Sequence, residues 1–483
     1  MRRVALLSST VLCLFAASPA LAQASAAQQG PTVQDLLKLL VEEGVVSQSK
    51  ADALYEAAAG EAASRQATSP APMAGPAPVA TPAAPATRNA QNVIVLTPGN
   101  TEPQPLKVDF SKGAPEFSSG DFRFRPRGRI LADVSSTSGS DYGDRNITTT
   151  GARALRIGME GAAGKLFYQL EADFASSSTS ITSAYVGWRE TVFGNPSELT
   201  LGVRLSERGI EGSTGSDATP FLERNLVANA LAPQSGYFGV GAMAKTYGKN
   251  WHATVKITGD DLDDSFQVRD GLTVMERAHW NPIANDDLIV HLGAWGFQER
   301  YPDKPRVTSL NTAIGGRFNS NIRVSSGQIG LPDTGQGYGL EFGGVYRNFW
   351  AFAEAGQRDI DYRDNMASTR FKAATLSAGW FITGDKPGYS RRIGAWGQPS
   401  VLHPVTEGGR GALELLGRWD CVDYTDAPLG GKGCNRTLGT NWYLTDSARL
   451  MFNAIFWDVE NYTGNYPTKD NGTTLSVRAQ YSF

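Results

Sequence analysis

The sequence predicts an all-β protein: a 16-stranded antiparallel transmembrane β-barrel, preceded by a short α-helical segment and a disordered linker. Three observations predict it. The chain opens on an export signal, yet no later apolar run approaches the roughly 20 residues that a helical membrane span needs. From residue 120 onward, segments of about ten residues alternate apolar and polar side chains, as barrel strands do. The composition is rich in Gly, Trp and Tyr (53, 10 and 16), and the last alternating segment ends on an aromatic residue, Phe483. A soluble sandwich shares the alternation; the aromatic ending favours the barrel.

Residues 1–22 read as a signal peptide. Arg2 and Arg3 form its basic start, 4–17 its apolar stretch, and Ala20-Leu21-Ala22 its small-x-small cleavage site. Residues 23–60 form a short helical segment, expected in the periplasm. Thr32 caps a first helix that Gly44 ends, Ser47 caps a second, and Leu36, Leu37, Leu40 and Val41 share one face. Residues 61–119 are a Pro/Ala-rich linker, as in "SPAPMAGPAPVATPAAPAT". Residues 120–483 are the barrel. Its strands are expected at 120–134, 152–160, 165–175, 181–190, 198–205, 237–247, 251–260, 272–282, 288–298, 338–347, 349–360, 370–383, 411–422, 437–445, 449–459 and 473–483. Short Gly- and Asn-containing turns alternate with long connections such as 206–236 and 299–337. That asymmetry is expected of outer-membrane barrels. Glu276 is the misfit, because the alternation points it towards lipid; a bulge or a shifted register would account for it.

The first strand, "DFRFRPRGRI", carries Arg123, Arg125, Arg127 and Arg129 at every second position. Side chains two apart share a strand face about 6.6–6.8 Å apart, so four guanidiniums face the lumen and Phe122, Phe124 and Ile130 face outward. The same alternation turns Arg156, Arg204, Lys256, Arg277, Arg347, Arg418 and Arg478 inward. Against these stand the inward carboxylates Asp133, Glu160, Glu171, Asp173, Glu198, Glu341 and Glu414. Arg208 and Arg224 in the 206–236 connection, with Arg306, Arg317 and Arg323 in the 299–337 connection, are candidates for a constriction. Arg391 and Arg392 in the long stretch 384–410 are candidates for an exit site. Guanidinium groups suit anions because each offers several donors and stays charged. Alternatively, these residues are an ordinary wet barrel wall whose charges neighbours neutralise.

Overall charge announces no anion binder. Without Arg2 and Arg3 the chain holds 43 basic and 48 acidic residues, a formal −5. Cys421 and Cys434 are the only cysteines left after cleavage, and an oxidising compartment favours their disulfide. The histidines, His252, His279, His291 and His403, sit in no catalytic motif, and no enzyme is expected. Nothing resembles a metal site, a cofactor site or a nucleic-acid patch.

Several stretches resemble one family. "TPFLERNLVANALAP" (219–233), "GALELLGRWD" (411–420) and "LGTNWYLTDSARLMFNAIFWD" (438–458) are similar to segments of the phosphate-selective porin O and P family. The resemblance covers roughly residues 110–483. It implies a sixteen-stranded, homotrimeric channel in the outer membrane of a Gram-negative cell, with loops folded inward. It also implies a passive path lined by arginines and lysines, preferring small anions such as phosphate, with outer-membrane lipid outside. A general or organic-acid porin without phosphate preference remains open, as does a structural tether working through the N-terminal helices; an enzyme is the remotest alternative.

Overall fold

The structure is a computed structural model and describes residues 105–110, 113–259, 271–303, 309–363 and 367–483. The expected signal peptide and helical segment, and most of the expected linker, lie outside the described residues. Sixteen long strands follow: β1 (Phe122–Ser138), β2 (Thr148–Ala163), β3 (Leu166–Asp173), β4 (Ser180–Val192), β5 (Asn195–Val203), β6 (Val240–Tyr247), β7 (Trp251–Thr258) and β8 (Leu272–Trp280). The second half is β9 (Leu288–Arg300), β10 (Pro332–Tyr346), β11 (Phe349–Tyr362), β12 (Thr369–Phe381), β13 (Ala412–Asp423), β14 (Lys432–Tyr443), β15 (Ala448–Asn461) and β16 (Thr468–Ser482). Each pairs antiparallel with the next, and β16 returns to β1, with Val477 opposite Val134. Every strand expected from the alternation is present.

Closure is made by the two ends of the barrel. Phe483 and Gly128 exchange backbone hydrogen bonds at 2.9 Å. The Phe483 ring lies so close over Gly128 that any Cβ there would meet it at 2.6 Å, so only glycine admits the terminal aromatic residue. Order also begins earlier than expected: Lys107–Asp109 and Glu116–Ser119, inside the stretch assigned to the linker, pair with each other, and the second pairs with the start of β1. Pairing satisfies their backbone groups where a free linker would leave them to water.

Outward side chains are apolar over most of the wall, for example Ile130, Ile157, Leu201, Leu340, Phe342 and Leu438. Exposed Trp188, Trp280, Tyr346, Phe349, Trp380, Trp442 and Tyr481 ring the end where the short turns lie. Glu276 is on this outer face, and neither a bulge nor a register shift explains it. It pairs regularly with Val255 and Gly296, and its carboxylate lies across Gly296, where the missing side chain leaves room. Arg347 does not face inward as expected. Strand β10 ends at Tyr346, and Arg347 adopts φ 54° in the turn, where its exposed guanidinium lies 3.2 Å from Asp287.

The lumen is largely filled on one side. The connection 204–239 enters the barrel and carries a one-turn helix, α1 (Leu226–Ala230), capped by the Asn225 side chain accepting from Ala228 N. Leu226, Val227 and Leu231 pack with Ile314, Ile322 and Val324 of the connection 301–331 against Trp295, Phe297 and Phe371 of the inner wall. On the turn side the insert 382–411 also folds inward, where Trp396 meets Trp350 and Phe352 at ring distances of 4.8 and 5.1 Å. Trp396 N donates to Thr214 Oγ1 at 3.1 Å, so the two inward segments meet inside the barrel.

Candidate functional site

The plug leans on β8–β14 and leaves water-accessible guanidiniums against β1–β6. The register puts Glu160 of β2 beside Gln169 of β3, beside Tyr185 of β4, beside Gly202 of β5. Tyr185 donates to Gln169 Oε1 at 3.0 Å. Around this row the charges do not balance. Glu160 is shared by Arg125 at 3.0 Å and Arg127 at 2.7 Å. Glu198 is shared by Arg189 (3.4 Å), Arg204 (3.3 Å) and Arg392 (3.3 Å). Five guanidiniums therefore crowd Glu160 and Glu198 at the turn-side mouth, and Arg127 also reaches a third carboxylate, Glu171, at 3.2 Å. Arg204 lies over the Tyr185 ring and Arg392 over the Tyr247 ring, at 5.1 and 3.9 Å, which keeps both cations in place without a further carboxylate.

The four arginines of β1 divide along the strand. Arg123 is half-buried, with Glu116 at 3.8 Å. Arg125 and Arg127 keep 17% and 19% of their side-chain surface, and Arg129 only 7%. Arg129 is clamped between Glu171 at 3.2 Å and Asp217 at 2.5 Å. Arg156 lies opposite Arg129 and closes the same cluster on Glu171 (3.0 Å) and Asp173 (2.8 Å). Burial pushes the Asp217 carboxyl up, but the guanidiniums of Arg129 and Arg127 outweigh it and hold it below its usual range. The inner end of the stack is thus the place where the connection 204–239 is tied to the wall.

The remaining expected residues fall in different surroundings. Arg208 is not at the passage: it is buried, donates to Val227 and Ala228 carbonyls, and holds the end of α1. Arg224 is buried too, donating to the Glu211 and Thr214 carbonyls and stacking 4.8 Å from the Tyr237 ring, but it reaches a second cavity. Arg317 is exposed in that cavity, and Arg323 braces its own loop through the Ser320 carbonyl. Lys256, Arg277, Arg418 and Arg478 face inward as expected. Arg277 is bound to Glu341, Arg418 to Glu211 and Arg478 to Asp133, while Lys256 donates to the Arg204 carbonyl. Arg391 spends its guanidinium on turn carbonyls; Arg392 joins the mouth. Cys421 and Cys434 are bonded, directly opposite one another within β13 and β14 rather than out in the loop.

Several partners escaped the alternation. Arg153 is the extra residue of a bulge between Leu131 and Ala132 of β1, and the bulge turns it inward to Glu223 at 2.9 Å. Glu207, Glu211, Asp217 and Glu223 arrive on the inward connection, so no strand pattern announces them. His252, His279 and His291 are adjacent on β7, β8 and β9, with ring centroids 4.6 and 5.4 Å apart. Glu207 and Glu341 cap the row at 2.9 and 3.0 Å, and all three rings are buried beneath the insert. His403 is exposed in the insert.

A closed sixteen-stranded barrel, narrowed by its own connections and basic at one mouth, defines the class of porin-type channel barrels. The family model described as phosphate-selective porin O and P matches residues 124–483, and the chain belongs to that family. A protein of Caulobacter vibrioides described only as uncharacterized is 25% identical over 405 residues, covering 80% of this chain and 79% of its own. Among solved structures, OprB of Pseudomonas putida is similar at 9% identity and TM-score 0.49, over 75% of this chain and 94% of that one. An anion-selective porin from Comamonas acidovorans is similar at 14% identity and TM-score 0.45, over 75% of this chain and all of that one (100%). In-vitro-folded OmpT of Vibrio cholerae is similar at 11% identity and TM-score 0.48, over 76% and 99%.

Proposed function

We propose that the chain is inserted in the outer membrane as a passive channel that prefers small anions, phosphate and related oxyanions among them. The observation that carries this reading is the turn-side mouth, where Arg125, Arg127, Arg189, Arg204 and Arg392 crowd Glu160 and Glu198, with Arg127 alone reaching on to Glu171. Fixed positive charge in a narrow, partly low-dielectric passage raises the local anion concentration. Guanidinium donors replace hydration with charge-assisted hydrogen bonds, and sharing each carboxylate leaves donors free for a passing ion. Several weak sites in series let an ion leave as well as enter. The apolar outer face and the aromatic ring at its turn end support insertion with the turns, and with them both barrel ends, towards the periplasm. We place three copies in the assembly on the family relationship alone. No catalytic role is assigned to the buried histidine row.

A second reading, an organic-acid channel without phosphate preference, is favoured by the external-side cavity, whose lining includes four hydroxyl and four amide side chains. The zero-current potential of purified protein in a planar bilayer under a KCl gradient decides the common ground of both. A potential on the anion-selective side is expected, and a potential on the cation-selective side refutes them together. Block of the chloride current by inorganic phosphate then separates the two.

A further inference from the structure

The second cavity lies on the loop side of the Arg129–Glu171–Asp217 cluster, between the connections 204–239 and 301–331 and the wall formed by β13–β16 and β1. It encloses about 210 Å³. At roughly 30 Å³ per water that is space for about seven waters, more than one tetrahedral oxyanion fills. Its carboxylates are spoken for. Asp133 receives two bonds from Arg478 at 2.7 Å, and Glu223 receives Arg153 and Arg478. Burial pushes the Glu223 carboxyl up, yet Arg153 and Arg478 hold it below its usual range, so it stays an anion.

Its cations are not all spoken for. Arg317 makes no hydrogen bond and no ion pair among the described residues; the like charge of Arg153, ahead of burial, lowers its pKa and outweighs the opposing pull of Glu223 and Asp173. Arg224 reaches only carbonyls and a tyrosine ring. A further polar atom is unpartnered: Thr437 Oγ1, on a side chain 2% exposed that lines this cavity, has no hydrogen-bond partner among the described residues. Ser135 and Ser476, paired with each other at 2.7 Å, add hydroxyls with spare lone pairs. A buried hydroxyl without a partner costs free energy unless a ligand or water satisfies it.

We propose that this cavity is a docking site for a polyhydroxylated carboxylate of sugar-acid type, entering from the loop side. The carboxylate meets Arg317, with Arg224 behind it, and the ligand hydroxyls meet Thr437, Ser135 and Ser476. One excess cation among hydroxyls suits a single negative charge on a hydroxyl-rich body. The inference deepens the organic-acid reading above and rests on it for the ligand's onward passage, though not for binding.

The test uses gluconate, glucose and inorganic phosphate as probes on the full chain in detergent, read by titration calorimetry. Gluconate is expected to bind about tenfold more tightly than phosphate, with glucose weaker still, because each loses either the hydroxyl or the charged contacts. Arg317→Gln, an exposed loop change, is expected to weaken gluconate about tenfold. Thr437→Val, which keeps the shape, should weaken gluconate several-fold and leave phosphate unchanged. Glucose binding as tightly as gluconate, phosphate binding more tightly than either, or both variants binding gluconate like the parent would each overturn the proposal. Binding that persists in a channel whose zero-current potential shows no anion preference sinks the channel reading and leaves the site standing. An anion-preferring channel that binds no gluconate sinks the site alone.

Discussion

Arg127 and Arg129 are neighbours on one strand face, two residues apart, and they do different work. Arg129 joins two largely buried carboxylates, Glu171 and Asp217. Removing one partner from a buried charge cluster costs about 3–5 kcal/mol, because the other charges stay desolvated and unmatched. Arg129→Gln is therefore expected to loosen the 204–239 connection, seen as protease sensitivity there and as noisier single-channel currents. Arg125→Gln with Arg127→Gln removes charge at the wetter end of the stack instead. Fold and heat resistance should hold, while the zero-current potential under a KCl gradient moves towards zero; an unmoved potential would make these arginines plain wet-wall residues. The pH response follows from Asp217. Its carboxyl is depressed in the folded state, so its contribution is complete above the ordinary carboxylate pKa of about 4 and fades as pH falls through the lower folded value. Conductance measured from pH 8 to pH 5 should be steady, with loop noise rising only below about pH 4.

The elements that decide the passage are the connections, since a sixteen-stranded wall alone encloses a wide lumen. The insert 382–411 seals part of the turn side through Trp396, packed on Trp350 and Phe352 and hydrogen-bonded to Thr214. Truncating a buried tryptophan costs about 3–5 kcal/mol. That loss falls on the insert, because the strand ladder does not pass through it. Trp396→Ala is expected to raise single-channel conductance while the barrel still folds; a conductance equal to the parent's would show that the insert does not limit flow. The disulfide acts on a smaller element. Cys421 and Cys434 face each other across adjacent strands that already share a full ladder, at a sequence separation of 13. Replacing both with alanine should lower thermal stability modestly and leave conductance as it was.

For the molecule as a whole, independence of the barrel from what precedes it is the testable property. Phe483 closes on Gly128, and β16 pairs along β1 from Thr473 to Ser482, so the sheet is complete without residues before 107. Deleting residues 23–100 should leave single-channel conductance and anion preference unchanged. A lost or non-conducting barrel would mean that the N-terminal segment builds or plugs the pore.

The sequence by itself determined the wall. A period-two pattern fixes which side chains face out, and a one-residue slip would turn every apolar residue into the lumen, so sixteen strands, their order and the inward Arg123–Arg125–Arg127–Arg129 row were all legible. Even the misfit Glu276 was legible as outward; the glycine that accommodates it, Gly296, is a cross-strand neighbour and was not. The disulfide was legible because no other cysteine remained. Which cations are free was decided only by the tertiary structure. Glu207, Glu211, Asp217 and Glu223 travel on a connection with no periodicity, and they neutralise arginines far away in sequence. Arg153 was hidden by a bulge, which reverses the parity that the alternation relies on. Arg208, equal to Arg317 in the sequence, became a buried brace because its connection folds inward and packs. Charge on a strand face is a local property that sequence records. Charge left over after pairing depends on long-range contacts, and those exist only once the connections have folded into the barrel.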